Sequence, residues 1–287
     1  MRKNIFLLSL FTFLLTASAL RAGNFFRTDD SKILPDTLHV SGRSCNIQVG
    51  NLLFDRSVNN ASDAVEVETT EASTITLSAG KGANFYCFAD EKPPVFSAPI
   101  LMWKIDNRKN YTFTAKVKLD EKGNSGSDCA GLMLYVNDSF WQKFTYKLNL
   151  SGDFTAEAIL TEGKSDTKSV NAPGGATRTA WMKLTADTYK VGLYFSTDSV
   201  NWNRVDYFNK TDKDSVYLGI IAESPSGNGC KCRFSQLQFE NVAFAAMQRP
   251  GDTTFSTYTA PAVVPETKET QPAATPTATK KKKTGKR

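Results

Sequence analysis

Few of the residues that usually carry chemistry are present in this chain. His39 is the single histidine, which removes Ser-His-Asp and Cys-His nucleophile systems and most zinc sites, since each needs an imidazole as base or ligand. Glu66 and Glu68 would share one face of a strand about 6 to 7 Å apart. That is tolerable for an acid/base pair but wider than the roughly 5 to 5.5 Å of retaining glycosidases. Their alternation with Val65 and Val67 is also what a solvated strand shows, and that reading is preferred. Asp128 precedes an apolar run and either caps a turn or joins a calcium site of oxygen ligands, with capping preferred. Neither G-x-x-x-x-G-K nor G-x-G-x-x-G occurs, so no nucleotide cofactor is expected, and the cofactor expectation as a whole is none.

These residues must be positioned by strands. In a chain of 287 residues, 40% apolar and 22% charged, short segments rich in Val, Ile, Thr, Tyr and Phe recur between residues 38 and 245, separated by Gly, Asn, Asp and Ser clusters. Candidate strands cover 64–70, 73–78, 84–88, 111–119, 129–136, 141–150, 154–161, 181–185, 189–196, 216–222 and 231–239. No long stretch holds helical periodicity. The expected fold is all-β, a two-sheet antiparallel sandwich with a single core over residues 23–247.

The run Asp128, Cys129, Ala130, Gly131, Leu132, Met133, Leu134, Tyr135, followed by Trp141, Gln142, Lys143 and Phe144, resembles the D-x-AGLM-x-Y…W-x-K-F signature of the domain of unknown function 1349. That family belongs to the concanavalin A-like lectin/glucanase superfamily. Tyr194, Ser196, Asp198 and Trp202 resemble its Y-x-S-x-D…W segment, and Gly219, Ser224, Pro225 and Gly229 its G…SP…G segment. The resemblance covers roughly residues 84–242 and implies a jelly-roll sandwich without implying a chemistry. The family usually has Glu where this chain has Lys147, and an aromatic where it has Thr167.

Strand alternation proposes a binding face. Ala130, Leu132, Leu134 and Val136 share one side of their strand and Cys129, Gly131, Met133 and Tyr135 the other; the aliphatic side is the core. Gln142, Phe144, Tyr146 and Leu148 then point inward, and Trp141, Lys143, Thr145 and Lys147 outward. A turn at Asn137, Asp138 and Ser139 sets Tyr135 opposite Trp141 and Met133 opposite Lys143. A three-residue turn at 151–153 sets Glu157 opposite Lys147 and Thr161 opposite Lys143. The outward strip is Tyr135, Trp141, Lys143, Lys147, Glu157 and Thr161, which suits a sugar: C–H faces against rings and hydroxyls against polar groups. Three functions remain open: non-catalytic carbohydrate binding, which is preferred; a glycoside hydrolase or polysaccharide lyase acting from the same face; and a structural or protein-interaction module in which a loop covers the strip.

Charge is concentrated at the ends. Residues 1–22 carry Arg2, Lys3 and Arg21 and no acid; residues 248–287 carry eight bases against three acids, so of the total +6 the body 23–247 retains −2. A nearly neutral body has no electrostatic footprint for a phosphate backbone, so nucleic acid is not an expected partner. Basic residues, an apolar run and small residues at 1–22 have the order of a secretory signal, giving an expected secreted or periplasmic location. In a secreted chain Cys45, Cys87, Cys129, Cys230 and Cys232 would form disulfides with one thiol left over. Cys230 and Cys232, adjacent on one strand face, are not expected to pair with each other. The Pro/Thr/Ala-rich segment 248–287 is expected to be disordered, its lysine cluster solvated or docked on an anionic surface or polymer. The expected oligomeric state is a monomer.

Overall fold

A computed structural model describes residues 41–68, 73–88, 90, 92–120, 127–247 and, by backbone alone, 257–259. All belong to the compact unit His39–Arg287. The first strands in chain order are β1 (Arg43–Val49), β2 (Leu52–Val58), β3 (Val65–Glu68), β4 (Thr74–Ala79), β5 (Phe85–Tyr86) and β6 (Val95–Phe96). There follow β7 (Ile100–Asp106), β8 (Tyr111–Lys118), β9 (Cys129–Asn137), β10 (Phe140–Leu148), β11 (Phe154–Glu162) and β12 (Lys164–Asn171). The last are β13 (Thr179–Ala186), β14 (Lys190–Ser196), β15 (Asn201–Asn209), β16 (Ser215–Glu223), β17 (Cys230–Glu240) and β18 (Thr257–Thr259).

The first sheet runs β1-β2-β7-β16-β9-β10-β11-β12 and the second β18-β15-β14-β13-β8-β17-β4-β3, all pairings being antiparallel. This is the expected two-sheet jelly-roll sandwich. Leu132, Leu134, Phe144, Tyr146, Ala156 and Ala158 of the first sheet meet Phe113, Val117, Met182, Leu184, Leu193 and Phe195 of the second in one core. The inward parity read from the sequence is therefore the observed one. A short ribbon, β5 with β6, lies outside both sheets.

The sequence pattern missed β1, β2, β6, β7, β12, β15 and β18, and for three of them the reason is identifiable. β7 reads Ile-Leu-Met-Trp-Lys-Ile-Asp because Leu101, Trp103 and Ile105 enter the main core while Ile100 and Met102 enter a second cluster on the opposite face. A strand buried on both sides shows no alternation. β12 (KSDTKSVN) is an edge strand, and β15 (NWNRVDYFN) is polar along much of its length. Hydrogen bonds to neighbours made them strands where residue types did not.

The β9–β10 register is the expected one, Tyr135 opposite Trp141 and Met133 opposite Lys143. The β10–β11 register differs by two residues: Glu157 faces Thr145, Thr161 faces Trp141, and Lys147 faces Thr155. The connection is longer than three residues, because Asn149 N–H donates to the Asp153 carbonyl (2.8 Å) and leaves Leu150 91% exposed in the loop. A slip of two preserves the face of every side chain, so the inward set survives it.

The five cysteines are free thiols, which corrects the expectation of disulfides. Four are buried, and the Cys230 and Cys232 sulfurs approach to 3.7 Å without a bond. Residues 257–259, within the segment expected to be disordered, pair as β18 with Asn201, Trp202 and Asn203. The rest of that segment, residues 1–22 and His39 lie outside the described residues.

Candidate functional site

The strip expected on the outer face of the first sheet lies on that face, but it is covered. Trp141 and Tyr135 are 0% exposed, Thr161 0% and Lys143 2%. The expected open aromatic face is corrected at these four residues. What covers them is the β5–β6 ribbon: Phe85 packs edge-on against Trp141 with ring centroids 5.0 Å apart and lies 6.4 Å from Tyr135. Phe85, Cys87, Ala98, Ile100, Met102, Met133, Tyr135, Trp141, Ile159 and Ile221 share a second hydrophobic cluster, so the indole is a packing residue. Thr161 exchanges a hydrogen bond with Ser165 (2.7 Å), whose hydroxyl in turn accepts the Cys87 amide (3.0 Å), tying the ribbon's continuation to β12.

Lys143 is held in a closed network. Its Nζ donates to both oxygens of Glu223 (2.8 and 2.9 Å) and to the Phe85 carbonyl (2.8 Å). The Glu223 carboxylate also accepts the Phe85 amide (2.7 Å) and the Cys129 thiol (3.2 Å). Burial, followed by the neighbouring Glu223 charge, drives the Cys129 pKa well above its ordinary value, so this sulfur is a proton donor to the carboxylate and not a nucleophile. The three ammonium hydrogens and both carboxylate oxygens are matched, and the pair supplies the Phe85 backbone with the two partners that a flanking strand would otherwise provide. Lys143 and Glu223 therefore clamp β5 to the sheet.

Lys147 and Glu157 are half-buried and form an ion pair with each other. They border a cavity of about 270 Å³ between the sheet and Asn84, Tyr86 and Phe88, with Lys143 and Glu223 in its wall. Both acids that line this cavity, Glu157 and Glu223, are neutralised by a lysine, so among the described residues no free carboxylate pair lines it. Glu66 and Glu68 form surface ion pairs with Lys231 and Arg233 (both 2.7 Å), and the Lys231 hydrogen bond lowers the Glu66 pKa. They are the solvated strand that the alternation suggested. Asp128 accepts the Ser224 hydroxyl (2.6 Å), and the same hydroxyl accepts the Gly229 amide (3.1 Å), so this acid pins a turn. Among the described residues no group of three or more His, Cys, Asp or Glu could hold a metal.

A larger concavity, about 600 Å³, lies on the second sheet. Its wall includes Trp181, Lys183, Thr114, Gln236, Gln238 and Ser199, with Trp202 beneath. Register builds it. Trp181 faces Lys116 on β8 and Ser196 on β14, while Lys183 faces Thr114 and Tyr194, all opposite in parity to the core residues Met182 and Leu184. On β17 the pairing with β8 breaks between Ser235 and Gln238, and Gln236 takes φ 50°. The bulge leaves Gln236 exposed, and its Oε1 accepts the Trp181 indole N–H (2.8 Å), fixing the plane of the ring. Lys116 Nζ lies 4.5 Å from the centre of the Trp181 ring, and Lys183 Nζ 4.1 Å from that of Trp202. Burial lowers the Lys183 pKa. The sequence reading passed over these residues, although alternation along 181–185 and 111–119 places Trp181, Lys183, Thr114 and Lys116 on one outward face. It also passed over Glu223, whose signal was an acid directly after the apolar run 216–222.

Residues 60–242 match the family model described as "Protein of unknown function (DUF1349)". The chain is 30% identical over 124 residues to "Regulation of enolase protein 1" of Saccharomyces cerevisiae, an alignment that takes in 43% of this chain and 62% of that protein's length. That relative is an intracellular protein, which overturns the expectation of a secreted or periplasmic location. Among solved structures, a functionally unknown protein from Saccharomyces cerevisiae superposes with a TM-score of 0.56 at 22% identity, covering 66% of this chain and 96% of that one. The Bacteroides ovatus protein titled "Xyloglucan PUL GH43B" superposes with a TM-score of 0.50 at 18% identity, covering 69% of this chain and 38% of that one, a likeness of fold. With the family model matched over more than half its length, and a jelly-roll sandwich carrying the matched motifs, the chain belongs to the DUF1349 family.

Proposed function

We propose that this protein is a non-catalytic carbohydrate-binding β-sandwich, and that its binding surface is the groove on the outer face of β8, β13 and β17. The observation that carries this reading is the lining. A half-buried indole, held in plane by Gln236, stands beside the amide of Gln238 and the hydroxyls of Thr114 and Ser199, and no carboxylate or imidazole lines the groove among the described residues. An aromatic ring accepts the C–H face of a sugar while amides and hydroxyls meet its edge, and a volume of this order lies within the roughly 300–1,000 Å³ of small-ligand sites. The cavity on the first sheet is smaller, and its charged groups are already paired with one another.

The test is a glycan array of neutral and acidic oligosaccharides probed with the full chain, repeated with Trp181→Ala and Glu157→Ala. Binding by the wild type and the Glu157 variant, and its loss in Trp181→Ala at an unchanged urea midpoint, is the expected pattern. Equal signals from the wild type and Trp181→Ala refute the groove, and loss confined to Glu157→Ala moves the site to the first sheet. A wild-type chain that binds no glycan removes the carbohydrate reading.

A further inference from the structure

We propose that the groove is selective for acidic glycans, oligosaccharides carrying uronate carboxylates, with Lys183 as the residue that reads the charge and Lys116 as its auxiliary. This rests on the carbohydrate reading of the same groove and goes beyond it by naming the class of sugar.

Lys183 is a partly buried lysine whose charge is unmatched by any ion pair among the described residues. Two lysines on the first sheet's outer face, the buried Lys143 and the half-buried Lys147, are neutralised by Glu223 and Glu157, whereas Lys104 on the same face stands exposed to solvent. On the surface, Lys168 meets Asp206 and Lys231 meets Glu66. The partly buried Lys210 has no carboxylate but donates to two carbonyls, those of Lys109 (2.8 Å) and Asp187 (2.7 Å). Lys183 has neither arrangement. Its Nζ donates to one hydroxyl, Thr114 Oγ1, at 3.3 Å, and otherwise lies over the rings of Trp202 (4.1 Å) and Phe244 (5.0 Å). Among the described residues it forms no ion pair; Glu240, the carboxylate that acts on it, does so from beyond ion-pair distance.

Ring faces attract an ammonium but do not accept all its hydrogens, and burial has removed part of its water. The side chain is thus held rigid and partly dehydrated in the wall of an open groove, with donors left over. A carboxylate placed there gains a charge-assisted hydrogen bond and meets no opposing acid among the described residues of the lining. Lys116, over the Trp181 ring in the neighbouring row, likewise makes no ion pair among the described residues and adds a second positive charge beside the stacking position. Two cations around one half-buried indole, with amides on the far side, fit a sugar ring that stacks while its carboxylate points toward Lys183.

The experiment compares one oligosaccharide in two charge states. Binding of the full chain to an oligogalacturonate and to its fully methyl-esterified form is measured by calorimetry at low and high salt, for the wild type, Lys183→Met, Lys183→Arg and Trp181→Ala. The expected wild-type preference for the acid over the ester is about 5- to 30-fold, the range of one buried charge-assisted contact, and it shrinks with added salt. Lys183→Met brings the acid-to-ester ratio close to one, Lys183→Arg retains a preference, and Trp181→Ala abolishes binding of both forms. Equal affinity for acid and ester in the wild type overturns the acidic selectivity while leaving the carbohydrate reading in place. A preference that survives in Lys183→Met overturns the assignment to Lys183. A chain that binds neither form nor any sugar of the array overturns both readings together.

Discussion

Replacing Lys143 by Met keeps the aliphatic stem and deletes the ammonium. Glu223, 1% exposed, then retains the Phe85 amide and the Cys129 thiol as donors but has no counter-charge. Removing one member of a buried ion pair costs about 3–5 kcal/mol, because the remaining charge stays desolvated. The Phe85 carbonyl also loses its donor, a further penalty of about 1 kcal/mol. The sum, about 4–6 kcal/mol, is comparable with the whole net stability of many domains, about 5–15 kcal/mol. For a body of this size it corresponds to a fall in Tm of about 8–24 °C. Because the clamp holds β5 over Trp141, local consequences precede global ones: the Phe85 amide should exchange faster and the Trp141 emission should shift toward that of a hydrated indole. The double variant Lys143→Met/Glu223→Leu removes the stranded charge and takes the ammonium donor from the Phe85 carbonyl, while the Phe85 amide keeps Asn84 Oδ1 as acceptor (2.9 Å), a loss of about 1–3 kcal/mol. It should therefore be more stable than Lys143→Met alone. Urea unfolding of the three proteins with amide exchange at Phe85 checks this. A Lys143→Met protein within about 1 kcal/mol of wild type with Phe85 still protected, or losses that simply add in the double variant, would refute the clamp.

Gly131→Ala should cost about 3 kcal/mol or more. A Cβ at this position would stand 1.8 Å from the Phe144 carbonyl oxygen and 2.7 Å from Thr145 Cα, and backbone cannot yield as a side chain tip can. Gly80→Ala, with nothing within 4 Å of the added atom, is the control, and the two urea midpoints decide the matter. Thiol labelling provides another check. Desolvation raises the pKa of Cys45, Cys87 and Cys129, and the mutual hydrogen bond with Cys232 together with burial raises that of Cys230. At pH 8 the native protein should react slowly, Cys45 first as the one thiol that is not buried, with the other four modified after unfolding. Rapid native labelling of Cys129 or Cys230, read by mass spectrometry, would contradict their burial.

Alternation along residues 129–136 and 141–148 was enough to place Leu132, Leu134, Phe144 and Tyr146 between the sheets, and it tolerated a two-residue error in the β10–β11 register, since the side-chain period of a strand is two. Parity says which side of a sheet a residue occupies but not what lies above that side. Trp141 and Lys143 have the pattern of an exposed binding strip whether the face is open or covered, because the cover comes from Phe85, 56 positions earlier than Trp141, and its closing partner Glu223 from 80 positions after Lys143. Strands buried on both faces, such as β7, lose the alternation that would reveal them.

The order of residues along the chain determined the fold class, the inward faces of the central strands and the family motifs, because these depend on local periodicity and on short runs of residue types. Tertiary structure decided which of the two outer sheet faces is open, and that Lys183 lines the open groove while forming no ion pair among the described residues. Those outcomes depend on which distant segments pack together, and so on contacts that no local pattern encodes: the β5–β6 ribbon closes over Trp141, whereas the bulge at Gln236 leaves Trp181 and Lys183 lining an open groove.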